Sequence, residues 1–191
     1  MVEKQVPKSV ADVQATTLVL LEQVQKRIWA DSVDSWRGFI GDDGTPYDEE
    51  RCRDHLLILL GNRPEGIDLQ PEGHMAADNR ADIIASVAAL RLPIEVKGQW
   101  HKDLWHAADT QLDRLYATDY AADRLGIYVV FWFGPTVGKK LASQGKGKTV
   151  PKTAMELQML LAEGSSAAKA GRVAVVVLDL ERQPVARRRK A

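Results

Sequence analysis

The sequence predicts a single α/β domain, on three observations. Apolar residues recur three or four apart over residues 9–36, the period of a helix. Short apolar runs with alternating polar positions fill residues 67–98, the period of strands. Residues 127–133 form an unbroken β-branched and aromatic run, as expected of a central strand buried on both faces. At 191 residues and 45% apolar content, the chain can fill one sizeable core and is too short to expect two.

The first helix, residues 9–36, places Val10, Val13, Thr17, Leu20, Leu21, Val24 and Ile28 on one stripe, with Ser9 as its N-cap. Glycines and aspartates in residues 38–46 end the periodicity as a loop, and a second helix is expected over residues 47–60. Residues 67–98 read as three consecutive strands of an antiparallel meander, divided by turns at Pro71-Glu72-Gly73 and Ala77-Asp78-Asn79. A long helix over residues 103–122 stops at Gly126 and leads into the 127–133 strand. Residues 134–151 read as a basic loop, residues 153–169 as a helix and residues 173–180 as a final strand. The division expected from this pattern is an N-terminal helical segment (1–37), a main domain (38–186) and a solvated basic tail (187–191). The long first helix has few obvious partners, which suggests a homodimer interface or a piece of a larger multidomain polypeptide.

Lysine plus arginine number 26, as do aspartate plus glutamate, so a net charge of zero provides no global attraction to a polyanion and any nucleic-acid contact must be local. The single cysteine, Cys52, excludes an internal disulfide and fits a reducing compartment. The first eight residues lack the apolar core of a secretory signal, and no run approaches a membrane span; a soluble, cytoplasmic protein without a membrane partner is expected.

The chemistry is concentrated in two runs, Ala81-Asp82-Ile83-Ile84-Ala85-Ser86 and Leu92-Pro93-Ile94-Glu95-Val96-Lys97-Gly98. On a strand, Glu95 and Lys97 share one face while Ile94 and Val96 take the other. If the Asp82 strand pairs alongside, two carboxylates and an ammonium converge where a hard dication and a phosphate can be held. The plainer alternative is a surface ion pair between Glu95 and Lys97, worth roughly 0–1 kcal/mol. Gln111 falls on the apolar stripe Leu104, Ala107, Ala108, Leu112, Leu115 of its helix, and a buried amide without partners costs about 1–3 kcal/mol, so it needs a polar target. Arg80 lies two residues from Asp82 and can contact a phosphate or neutralise an acid. Trp100, His101, Lys102, Trp105 and His106 form an aromatic and basic lip suited to stacking on unpaired bases, or a buried helix-capping cluster.

Two other signals carry no function. Gly145-Lys146-Gly147-Lys148-Thr149 lacks the first P-loop glycine, since Ala142 stands there, and Pro151 follows where a helix is required. His55, His74, His101, His106 and Cys52 show no zinc-ligand spacing.

The order helix, three strands, helix, strand, with Asp82 on the second strand and Glu95-Val96-Lys97 on the third, resembles the PD-(D/E)XK nuclease superfamily over roughly residues 48–134. The resemblance implies a restriction-endonuclease-like three-layer core, a central mixed sheet flanked by helices, with the N-terminal helix as an addition. It implies that Asp82 and Glu95 hold Mg2+ or Mn2+ with the Val96 carbonyl, and that Lys97 positions or deprotonates water. It also implies that a helix glutamate touches the metal or its waters and that Gln111, followed by Tyr116, joins the site; Glu49, on the helix face of Cys52, Leu56 and Leu60, is favoured over Glu50 for that glutamate. The expected activity is phosphodiester hydrolysis by a metal-dependent endonuclease, on DNA rather than RNA, in the setting of a bacterial defence protein. Arg80, Trp100, His101, Lys102, Lys146 and Lys148 are the expected nucleic-acid contacts, and loss of the Lys97 side chain is expected to abolish cleavage without unfolding the domain. The alternative is a non-catalytic module that keeps the fold to bind protein or nucleic acid.

Overall fold

A computed structural model describes residues 6–30, 34–61, 66–74, 80–116 and 120–181. Its centre is a five-stranded mixed sheet in the order β1-β2-β3-β4-β5, built from Asp68–His74, Arg80–Val87, Leu90–Gly98, Gly126–Trp132 and Val173–Asp179. The first three strands form the expected antiparallel meander; β4 runs parallel to β3 and β5 parallel to β4. Helices α1 (Val10–Ala30) and α2 (Glu49–Leu59) pack on one side of the sheet, sharing a core with Ile83, Ile94, Val96, Val129 and Phe131. A π-helix (Ala108–Tyr116) and helices α3 (Ala154–Gly164) and α4 (Ser166–Lys169) belong to the second core, with Ile84, Tyr128, Val130 and Trp132. Every residue of β4 is buried, as its unbroken apolar run predicts. Among the described residues, no helix is long and apolar enough to cross a membrane.

Local signals place α1 as expected at its start. The Ser9 hydroxyl accepts from the Asp12 N–H at 3.1 Å while the Asp12 carboxylate accepts from the Ser9 N–H at 3.0 Å, a reciprocal cap. The helix does not reach Trp36. It ends at Ala30, and Trp36 belongs to a separate 3₁₀ turn, Ser35–Phe39, entered through Asp34 at a left-handed φ of 53°. Nor does α1 lack partners: all seven residues of the predicted stripe are buried, and the Gln14 and Gln25 side chains hydrogen-bond the backbone at Gly126 and Asp179. The segment assigned to residues 1–37 therefore contributes to the same core as the rest of the chain. Asp48 caps α2 by accepting from the Arg51 N–H at 2.8 Å.

Three further expectations are corrected. Pro71-Glu72-Gly73 is not a turn but part of β1, where Pro71 pairs with Ile83. β1 is an edge strand, so the missing proline N–H costs no ladder bond. Residues 103–122 are not one α-helix. They hold turns, the wider-wound π-helix and a 3₁₀ turn, Tyr120–Ala122; the Thr110 hydroxyl also donates to the His106 carbonyl at 2.9 Å, competing for a helical acceptor. Residues 153–169 divide at Ser165, whose backbone is extended and whose hydroxyl caps α4 by accepting from the Ala168 N–H at 3.1 Å. The turn at Asp78, the Tyr116 side chain and the basic tail lie outside the described residues.

Candidate functional site

The site forms where β2 and β3 separate. Their pairing ends at Ile83 with Ile94, one step before Asp82 would face Glu95. In place of the next rung, the Asp82 carboxylate accepts from the Val96 N–H at 2.8 Å. β3 continues beside β4 as far as Gly98, so Glu95, Val96 and Lys97 are held by one neighbour while the other withdraws. The withdrawal leaves this stretch of β3 to be met on that side by side chains from β2 and α2 instead of by a backbone ladder.

Three carboxylates surround one ammonium. Lys97 Nζ contacts the Glu95 carboxylate directly and lies 3.5 Å from both Asp82 Oδ2 and Glu49 Oε1. It also donates to the Val96 carbonyl at 3.1 Å. Glu49 projects from the first turn of α2, and its other oxygen accepts from the Gly98 N–H at 2.8 Å. Glu95 and Lys97 are only 1% and 4% exposed, which removes the surface-ion-pair alternative. Ile94 and Val96 lie in the opposite core, as the alternation predicted.

Burial, with the neighbouring Asp82 charge, pushes the Glu95 carboxyl up to about 8 despite its contact with Lys97. Burial alone would lower Lys97, but the carboxylates of Glu95, Asp82 and Glu49 reverse that and hold it raised. In this arrangement the lysine is a cationic donor rather than a base. With all three acids ionised, the cluster would carry two uncompensated negative charges.

Among the described residues, buried side-chain oxygens without a hydrogen-bond partner occur at two places, Glu95 Oε2 and Gln111 Oε1. Gln111 stands on the π-helix, which packs across β3 and β4. Both residues were singled out by their position in the sequence, and an orphaned buried oxygen costs about 1–3 kcal/mol unless something donates to it or binds it. In front of the cluster is an open cleft of about 390 Å³, lined by Asp48, Glu49, Glu50, Arg53, Glu72, Asp82 and Val96. Glu49 is the acid drawn into the cluster, whereas the Glu50 side chain is 73% exposed and lies 3.8 Å from Arg53.

Oxygen donors alone suit a magnesium or manganese ion, which takes one or two carboxylates and keeps several waters. Asp82, the free Glu95 oxygen and the Val96 carbonyl fit that requirement, and a dication would offset the excess negative charge. No group of three or more His, Cys, Asp or Glu side chains capable of holding a metal occurs among the described residues.

The lip beyond β3 is engaged within the chain. The Trp100 ring is engaged by Phe133, at 5.7 Å between centroids, and by the Lys139 ammonium, 4.2 Å from its centroid, so it is a packing strut. Trp105 donates its indole N–H to the Ala142 carbonyl at 2.9 Å. His101 Nδ1 accepts from the Asp103 N–H at 3.1 Å, closing a local turn. Lys102, Lys146 and Lys148 are exposed, and Arg80 lies 3.9 Å from Glu72, the acid-neutralising arrangement.

Sequence reasoning missed Glu72, Arg53 and Gln99. Register leaves Glu72 opposite Asp82 at a left-handed φ of 49°, and the Pro-Glu-Gly signature concealed it as a turn. Buried Arg53 donates to Asp54 and Glu72; its place four residues after Glu49 was the available signal. Gln99 immediately follows the Glu95-Val96-Lys97-Gly98 run, where its polarity after an apolar strand was the clue.

Fold and site together define an α/β domain with a buried carboxylate–ammonium cluster at a split in its sheet. The chain belongs to the family described as Domain of unknown function (DUF8371), whose match covers residues 13–135 and so includes Glu49, Asp82, Glu95, Lys97 and Gln111. No curated protein and no solved structure matches it.

Proposed function

We propose that this chain is a Mg2+- or Mn2+-dependent nuclease of the restriction-endonuclease-like kind, hydrolysing phosphodiester bonds in nucleic acid, DNA before RNA. The observation that carries the reading is the convergence of Asp82, Glu95, Glu49 and Lys97 at the β2–β3 split, with one Glu95 oxygen left without a partner. The order of elements, with an antiparallel meander followed by a parallel strand, supports the same fold assignment.

Asp82 and Glu95, with the Val96 carbonyl, would hold the ion. When bound, it supplies Lewis acidity, acidifying a water and screening charge on the phosphoryl oxygens. Lys97, kept protonated by its acid neighbours, donates to the attacking water or to a phosphate oxygen. Glu49 is fixed by the Gly98 N–H and orients a water from the other side. Gln111 contributes a buried amide from the covering helix. Water adds to phosphorus and the bond to one ester oxygen breaks, leaving a phosphomonoester and a hydroxyl.

A second reading, a binding module without catalysis, is favoured by the direct Glu95–Lys97 contact, which pairs one of the acids internally. The experiment that separates them is cleavage of plasmid, linear DNA and RNA with Mg2+, Mn2+ or EDTA, using Asp82→Ala as control. Metal-dependent products that vanish in the control support the nuclease; intact substrates under every condition favour the module.

A further inference from the structure

Gln99 follows the site strand by one residue, is fully buried, and spends all its polar groups on one distant segment. Its side-chain amide donates to the carbonyls of Gly134 and Lys139, both at 3.0 Å, and its Oε1 accepts from the Phe133 N–H at 2.7 Å. Its main chain donates to the Phe131 carbonyl at 3.1 Å and accepts from the Ala142 N–H at 2.8 Å. The segment reverses direction at Gly134, whose φ of 89° suits glycine. Each of these bonds joins the end of β3 to residues 131–142, so one side chain sets where the lysine-rich loop leaves the sheet.

Lys139 reinforces that junction. Its ammonium donates to the Tyr47 carbonyl at 2.8 Å, next to the Asp48 cap of α2, while lying over Trp100. This lysine is committed internally. Lys140, Lys146, Lys148 and Lys152 are exposed, and none of them forms an ion pair among the described residues. Gln99 lies two residues beyond Lys97, just past the end of β3, and so at most about 7 Å from it along the chain.

We propose that Gln99 is a positioning residue for nucleic acid: it fixes the exit of the 134–151 loop so that Lys140, Lys146, Lys148 and Lys152 bind a phosphate backbone running beside the Asp82–Glu95–Lys97 cluster. The proposal rests on the nuclease reading and gives it a binding surface that the neutral net charge does not supply. Preorganised lysines bind without first ordering a loop, which is the role of the buried amide.

The test uses the full chain, a labelled duplex DNA oligonucleotide with calcium in place of magnesium, and three proteins. These are the wild type, Gln99→Ala, and a surface variant combining Lys140→Gln, Lys146→Gln, Lys148→Gln and Lys152→Gln. Expected for Gln99→Ala are faster amide exchange across residues 133–142, DNA affinity at least about tenfold weaker with a shallower salt dependence, and an unchanged manganese titration. The surface variant, which alters only exposed groups, is expected to reproduce the weaker affinity and shallow salt slope with normal exchange. Wild-type affinity in the surface variant, or in Gln99→Ala with a loosened loop, overturns the proposal. Absence of DNA binding by the wild type overturns it too, while manganese-dependent cleavage separately decides the nuclease reading.

Discussion

The Asp82 carboxylate replaces a rung of the sheet: it takes the Val96 N–H at 2.8 Å just after β2 and β3 cease to pair. One side chain thus satisfies a backbone donor left by strand separation and faces the Lys97 ammonium. Asp82→Ala removes both functions. It is expected to abolish manganese binding in a calorimetric titration and to lower stability in EDTA by about 1–3 kcal/mol, from the stranded N–H. Denaturant unfolding measures the second effect; an unchanged midpoint would show that the split does not depend on this carboxylate.

Glu95 makes stability depend on pH in an uncommon direction for an acid. Its carboxyl is raised from 4.5 to about 8 in the folded chain, so between those values the native state holds a proton that the unfolded state releases. The associated stability is fully present below the unfolded value and is lost as pH rises through about 8. Glu95→Gln, which cannot ionise, is expected to be more stable than wild type in EDTA by at least about 1 kcal/mol at pH 9, with the gain shrinking towards pH 5. Paired urea melts across that range provide the comparison, and a gain independent of pH would contradict it.

Lys97 has a structural duty that its place in the sequence did not disclose. Removing the ammonium leaves the buried Glu95 and the half-buried Glu49 and Asp82 without their common counter-charge. Lys97→Ala is expected to lose about 3–5 kcal/mol of stability in EDTA and to recover part of it with manganese. Under the proposed nuclease reading, cleavage by the surviving folded fraction should fall by about a hundred- to a thousandfold. Thermal melts with and without the ion test this: a variant as stable as wild type in EDTA would place the three acids in better solvent contact than their burial indicates.

Cys52 has no part in the chemistry. It is fully buried, and burial pushes its thiol up to about 12, leaving negligible thiolate at neutral pH. A chromogenic disulfide reagent is expected to react only on unfolding. Rapid reaction of the native chain would contradict the buried placement.

Features written in local chemistry were legible in the sequence. The period of α1 and the buried run of β4 report side-chain environments directly and are found as read, and Ile94 and Val96 share one core as their alternation with Glu95 and Lys97 requires. The choice of Glu49 over Glu50 followed from helical spacing, and Glu49 is the one that reaches Lys97. What remained hidden depends on tertiary neighbours. Pro71-Glu72-Gly73 becomes strand because β1 lies at an edge; the wide winding around Gln111 and the grip of Gln99 on residues 131–142 involve partners that local periodicity cannot show. The engagement of Trp100 by Lys139 and Phe133 is equally nonlocal, so no local pattern could disclose it.

The most direct test of the proposed metal site is calorimetric titration of manganese into wild type, Asp82→Ala and Glu95→Gln. The account predicts saturable binding by the wild type and none by either variant. Absence of heat with the wild type, or equal binding by all three, would contradict it.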